Sequence, residues 1–311
     1  MHVVGIGLAN IDLISHVGDD FLDKYQLVKG QAKKLLVEDF AALRAELKNI
    51  HVEAGGCVGN TLCGLDKTNI KATFFGKIGN DDYAKIYRSS FQDHDVLFPV
   101  RSGDIDSSQC AVLITPEGER TFAYMHGASW TLAPDDLYFE SITQADLVYT
   151  EVYAMAFGMK TGLWPALVNH LRKTGVKMAM KIVDREYVDL YRTTIFALAE
   201  EGILSLVVGN KDNVCALARR DTTEESLALL RQWKCATLLT DGRNGAYYNS
   251  DGHIYHHRVE MIVNPINTSG AGDQFMAGFL ENWLFEKSIE TCMASAEAKA
   301  KSVLMCDAPR T

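Results

Sequence analysis

From residue 135 onward the chain alternates short apolar runs with longer amphipathic stretches, and few folds other than a parallel α/β sheet accommodate that alternation. The spacing predicts strands over 146–150, 177–183, 204–209 and 236–240. It predicts helices near 160–173, 189–200, 212–219 and 224–233, with 271–283 and an alanine-rich 289–305 closing the chain. Upstream, Val3-Val4-Gly5-Ile6-Gly7 reads as a buried strand, and Thr73-Phe74-Phe75-Gly76-Lys77-Ile78-Gly79 as the next strand and turn. Helices are expected over 39–49, from Gly59-Asn60 through Asp66, and from the Asn80-Asp81-Asp82 cap to His94. The segment 100–124 differs: Cys110 to Ile114, a Thr115-Pro116-Glu117-Gly118 turn and Arg120 to Tyr124 suggest a hairpin. With 13–37 it would make a small sheet inserted into the main body, in keeping with about two domains for 311 residues.

Within that frame the stretch Asn267-Thr268-Ser269-Gly270-Ala271-Gly272-Asp273 is a tight glycine turn opening a helix, with an acid in the first helical turn. The first amides of a helix have no intrahelical partner and lie at the positive end of its dipole, so they suit an anion. An Asp beside such a nest is explained if it takes a proton from an alcohol while the amides receive a transferring phosphoryl group. An acid-favoured cap with glycines for close packing is the structural alternative.

Asn10 and Asp12 lie two apart, so on an extended segment they share a face and could grip the hydroxyls of a polyol; an ordinary strand-end turn is the other reading. The pair Gly55-Gly56 permits close backbone approach to a ligand, and Asn60 follows in the helix it opens. Gly5-x-Gly7 lacks the third glycine of a dinucleotide fingerprint and is followed by extended residues, so that assignment is rejected. A lysine-bearing phosphate loop and the protein-kinase signatures are also absent. Polar clusters at Glu151, 210–213 and 240–245 fall where the carboxyl ends of parallel strands gather ligands.

Composition narrows the partners. A net charge of −9 without a basic run argues against nucleic-acid and anionic-membrane surfaces. No uncharged run of transmembrane length occurs, and the N-terminus lacks the cationic leader of a signal peptide. Seven cysteines without a CxxC pair read as free thiols in a reducing compartment, which places the chain in the cytoplasm.

On these residues the chain resembles the ribokinase (PfkB) family of carbohydrate and nucleoside kinases over nearly its full length. Thr268-Ser269-Gly270-Ala271-Gly272-Asp273 is similar to the family's C-terminal signature, the glycines at 55–56 to its N-terminal one, and Phe75-Gly76-Lys77-Ile78-Gly79-Asn80-Asp81 to a further family pattern. Phe21-Leu22-Asp23-Lys24-Tyr25, Ala54-Gly55-Gly56 and Ala72-Thr73-Phe74-Phe75-Gly76 resemble adenosine kinases, whereas Asn10-x-Asp12 is closer to ribokinases and fructokinases. The resemblance implies a ribokinase-like α/β fold: a central, mainly parallel sheet flanked by helices, with a small inserted β-sheet lid. Residues 1–14, 48–98 and 126–311 would form the nucleotide-binding core, and 15–47 and 99–125 the lid.

The implied activity is ATP-dependent phosphorylation of the primary alcohol of a nucleoside such as adenosine, or of a sugar. A ribose- or fructose-type sugar kinase, or a catalytically weak nucleoside- or nucleotide-binding homologue, is the alternative. Asp273 would be the base and Gly270, Ala271 and Gly272 the anion hole. Asn10, Asp12, Gly55, Gly56 and Asn60 would hold substrate hydroxyls, and Asn210, Thr240, Gly242 and Gly245 would line the ATP side. Glu151 and Asn213 would help order Mg²⁺. Two positions depart from the family pattern. Asn267 stands where many members have an Asp that helps organise a monovalent cation, which weighs against K⁺ activation. Asn213 stands where the family favours Glu, so no carboxylate is available there, although Asp212 is adjacent. The resemblance allows a monomer or a homodimer through the lid.

Overall fold

The computed structural model describes residues 1–65, 68–92, 94–100, 102–260 and 269–305. In chain order the elements are β1 (His2–Ile6), β2 (Asn10–His16), α1 (Asp19–Lys24), β3 (Ala32–Lys34), α2 (Val37–Glu46), β4 (His51–Gly55), α3 (Cys57–Cys63), β5 (Lys71–Phe75), α4 (Asp82–Ser89), β6 (Val96–Leu97), β7 (Ser108–Ile114) and β8 (Arg120–Met125). The second half runs α5 (Phe139–Thr143), β9 (Leu147–Glu151), α6 (Val152–Thr161), α7 (Leu163–Thr174), β10 (Lys177–Lys181), α8 (Arg185–Glu200), β11 (Leu204–Asn210), α9 (Lys211–Ala218), α10 (Thr223–Leu230), β12 (Ala236–Thr240), β13 (Ala246–Ser250), β14 (His253–His257), α11 (Ala271–Trp283) and α12 (Ile289–Leu304).

The larger sheet has nine strands in the order β14-β13-β12-β11-β10-β9-β1-β5-β6. Its strands from β12 to β6 run parallel, so their carboxyl ends share one edge. Strand β1 lies inside it, with Val3, Val4 and Ile6 fully buried; helices cover both faces, so both faces of the strand are apolar. On one face Val3 and Tyr149 share a core with Leu62 of α3 and Met276 and Phe279 of α11. On the other, Val4 and Ile6 pack with Phe157, Leu167, Leu198 and Leu217 from α6 to α9.

Glycines set how closely α3 approaches β1. A Cβ on Gly5 would lie 2.5 Å from Leu62 Cδ1, and one on Gly7 2.7 Å from Val58 Cγ2. The Gly5-x-Gly7 pair therefore serves helix packing, in line with its rejection as a dinucleotide fingerprint.

The smaller sheet has five strands in the order β3-β8-β7-β2-β4. Strand β2 alternates as a half-covered strand should, with Ile11 and Leu13 buried on one face and Asn10, Asp12 and Ile14 on the other. The hairpin expected from 110–124 is present as β7 and β8. The sheet also takes two strands from segments assigned to the core on sequence grounds: β2 begins at Asn10, and β4 covers His51–Gly55. Their alternation suits a sheet with one open face, and their pairing partners lie far away in sequence.

Two further differences have local causes. The helix expected near 160–173 is α7, but a further helix, α6, precedes it and is parted from it at Gly162 in the left-handed region (φ 81). The antiparallel hairpin β13–β14 was not expected, although its Asp251-Gly252 turn, with φ values of 50 and 77, is a recognisable hairpin signal.

Gly56 sits in a tightly constrained turn. Its φ is +103, and a Cβ there would sit 2.2 Å from the Leu8 carbonyl oxygen. Gly56→Ala is expected to lower stability by about 2–3 kcal/mol through backbone strain and displacement of Leu8, as read by chemical denaturation. A loss below about 0.5 kcal/mol would show that the turn relaxes freely.

Candidate active site

The amino end of α11 meets the carboxyl edge of the larger sheet beside α3. Gly270 caps the helix in the left-handed region (φ 75), and its carbonyl accepts from the amides of Asp273 (2.9 Å) and Gln274 (2.8 Å). The N–H groups of Ala271 and Gly272 make no hydrogen bond to any described residue. A Cβ on Gly272 would meet nothing within 4 Å, so there is open space beside this turn. A cavity of about 370 Å³ begins there, lined by Ala271, Gly272, Thr240, Gly242 and Gly245 among others. It brings Ala271 and Gly272, expected to form the anion hole, together with three of the four residues expected on the ATP side.

Asn210 does not line that cavity. Its side-chain oxygen instead caps α9 by accepting from the Asn213 amide at 2.9 Å. Asn213 is thereby fixed in the first turn of α9. Asn267 lies outside the described residues.

Asp273 is nearly buried, with its side chain 6% exposed. Asn60 Nδ2 donates to its Oδ2 at 3.0 Å, and Thr61 Oγ1 donates to its carbonyl at 3.2 Å. Gln274 Nε2 donates in turn to the Asn60 carbonyl at 3.0 Å. Asn60, expected among the substrate contacts, therefore spends its amide on orienting Asp273. The other carboxylate oxygen is met by the Lys181 ammonium at the end of β10. Burial opposes the charge on Lys181, but Asp273, with Cys57 and Tyr149, outweighs it and raises the lysine well above its usual range. Sequence reasoning passed over Lys181. Its one signal is a charge closing the apolar run Met178-Ala179-Met180 at a strand's carboxyl end.

Glu151 is paired in register with Lys181 and is 1% exposed. Its Oε1 accepts from the Leu8 amide at 2.6 Å. Burial pushes Glu151 up to about 7, against the Leu8 amide and Lys181, which favour its charged form.

Across the cleft, the open face of the smaller sheet carries Asn10 and Asp12 on the same side, as their spacing predicted. Asn10 Nδ2 donates to Asp12 Oδ1 at 2.7 Å. Gly55 makes room for that carboxylate, since a Cβ there would lie 2.4 Å from Asp12 Oδ2. The close approaches of Gly55 and Gly56 are thus made to the chain itself, to Asp12 and Leu8. In register with Asp12 stand Cys110 and then Tyr124, so the polar face continues into an aromatic one. There His126 stacks on Trp130 with centroids 3.4 Å apart, and Trp130 neighbours Tyr153 and Tyr187, each at 6.4 Å. Arg120 of β8 reaches over the cleft and donates to Ser269 Oγ at 2.7 Å, joining the smaller sheet to the turn before α11. Neither the arginine nor the aromatic group was singled out from sequence.

The pfkB family carbohydrate kinase model matches residues 3–310. The chain belongs to that family. The aminoimidazole riboside kinase of Salmonella typhimurium is 25% identical over 242 residues, which is 73% of this chain and 72% of the relative. The ribokinase of Staphylococcus aureus is 24% identical over 257 residues, 75% of this chain and 77% of the relative. Among solved structures, the adenosine kinase from Sinorhizobium meliloti superposes with a TM-score of 0.90 at 25% identity, covering 99% of this chain and 95% of that one. A probable sugar kinase from Rhizobium etli superposes equally well, at 0.90 and 26% identity, over 99% and 94% of the two chains. The ribokinase-like fold expected from sequence is the fold observed. The pfkB chain is a phosphotransferase acting on the hydroxymethyl group of a nucleoside or sugar, with ATP the co-substrate that membership implies. Among the described residues, no helix of this pfkB protein is long and apolar enough to cross a membrane.

The aromatic wall provides a test of the folded state. Burial, then Lys34 and Lys160, depress His126 from 6.5 to about 3. The unfolded chain takes up this proton near 6.5 and the folded chain does not, so the contribution is fully present above that pH and drains as pH falls towards 3. His126→Phe should keep the stack and flatten the fall of Tm over this window. Equal slopes in the two proteins would show that His126 accepts a proton in the folded state.

Proposed function

We propose that the acceptor is a nucleoside such as adenosine and that Asp273 is the base for its primary alcohol. The observation that carries this reading is the continuity of one face, from the Asn10–Asp12 pair through Cys110 to the half-buried rings of Tyr124, His126, Trp130, Tyr153 and Tyr187. A furanose held by Asp12 would place its attached base towards these rings, whereas a bare sugar has no use for them. The adenosine kinase and the riboside kinase among its relatives support the same choice. The alcohol oxygen would attack the γ-phosphorus, the bond from phosphorus to the ADP oxygen would break, and the alcohol proton would pass to Asp273. Ala271 and Gly272 would receive the charge on the transferring group, and Thr240, Gly242 and Gly245 would line the nucleotide cavity.

Mg²⁺ would arrive with the triphosphate. Among the described residues no three acidic, His or Cys side chains converge on a metal position. That fits an ion held mainly by phosphates and water, with Glu151 and Asn213 meeting those waters. Bound Mg²⁺ would neutralise charge on the phosphates. We assign the smaller sheet the role of a lid that excludes water, the competing acceptor, with Arg120 as its latch. The site would work without K⁺ as a cytoplasmic monomer or a homodimer through the lid.

The test is ADP release with Mg²⁺-ATP and adenosine, guanosine, ribose or fructose, with and without K⁺. Turnover on a nucleoside is expected, and Asp273→Asn should reduce it by about 10²–10⁴-fold. Wild-type turnover in Asp273→Asn would remove the base from this scheme. Turnover on ribose or fructose alone would make the acceptor a sugar.

A further inference from the structure

Lys181 is not explained by the fold. It ends β10 at the carboxyl edge of the sheet, on the face packed by α3 and α11, with its side chain 15% exposed and its ammonium on Asp273 Oδ1. A buried ion pair is a poor source of stability, because desolvating two charges offsets most of their attraction, and apolar residues of similar size do as well or better. Nor, among the described residues, is the pair part of a larger salt-bridge lattice. The other groups beside Lys181 are Cys57, Tyr149 and its register neighbour Glu151, whose own carboxyl is raised to about 7 by burial.

What the pair does change is the charge at the amino end of α11. The open amides of Ala271 and Gly272 and the helix dipole favour an anion, but an unaccompanied Asp273 one residue further on would oppose it. Two like charges a few ångströms apart in a poorly solvated site repel by several kcal/mol in about the dielectric typical of proteins. We propose that Lys181 is a charge-balancing and positioning residue: its ammonium cancels the Asp273 carboxylate, so that the same helix end can hold the base and accept the terminal phosphoryl group of a nucleoside triphosphate. Asn60 fixes one carboxylate oxygen and Lys181 the other, so the pair also sets the orientation of the base. Burial works against the lysine charge and Asp273 more than restores it, which keeps the ammonium available for this task.

The inference rests on the kinase reading above, and the test separates the two. Calorimetry would measure the affinity of the Mg²⁺ complexes of ADP and of a non-hydrolysable ATP analogue for wild type, Lys181→Met, Asp273→Asn and the double variant. The preference for the triphosphate over the diphosphate isolates the terminal phosphoryl group from the rest of the nucleotide. Charge counting ranks it as Asp273→Asn highest, wild type and double variant equal, and Lys181→Met lowest, with steps on the order of tenfold. Lys181→Arg, which keeps the charge, should stay within a few fold of wild type. A structural lysine would alter stability in these variants without ordering the preference in this way, and the double variant would not recover it. If Lys181→Met does not fold, the order of the remaining three proteins decides the matter. An equal preference throughout, in a wild type that binds nucleotide and releases ADP, overturns the role of Lys181 alone. A wild type that neither binds nucleotide nor releases ADP overturns the kinase reading and this inference with it.

Discussion

How Asp273 is held governs the rest of the site. A carboxylate at a helix amino terminus is favourable in itself, but in the proposed reaction it would have to stay accessible to an incoming alcohol while an anion settles next to it. Asn60 and Lys181 meet its two oxygens, and Thr61 ties down its backbone carbonyl. Those three partners come from α3 and β10, so Asp273 is placed by the packing of α11 and α3 on one face of the sheet.

That packing depends in turn on small residues. Gly5 and Gly7 let α3 lie against β1, and Gly64 leaves room for Gln274 of α11, where a Cβ would come within 2.3 Å of Oε1. Bulk at these points would press on α3, which carries Asn60. The glycines that look like ligand-cradling motifs in the sequence largely serve the chain itself. Gly55 clears Asp12 and Gly56 clears Leu8, whereas Gly242 and Gly272 stand beside open space.

The second constraint is the bridge between the sheets. The smaller sheet shares its buried side with the larger core through Ile11, Leu13, Phe40 and Leu43, which leaves its polar and aromatic side facing the cleft. Arg120 then spans to Ser269. The alternation in β2 thus places Asp12 in the cleft because Ile11 and Leu13 must be buried. Register carries that choice across to Tyr124.

The amino-acid sequence by itself determined the alternating α/β core, the glycine turn with Asp273 in the first turn of α11, and the shared face of Asn10 and Asp12. All of these are local: they follow from periodicity, capping and spacing within a few residues. What only the tertiary structure decided is which side chains converge. Lys181 lies 92 residues from Asp273, Asn60 lies 213, and Arg120 lies 149 from Ser269, and no local pattern links such positions. In sequence Lys181 is a charge at the end of an apolar strand and Asn60 a helical amide after a glycine. They become partners of Asp273 because parallel strands bring their carboxyl ends to one edge and two helices pack closely over it.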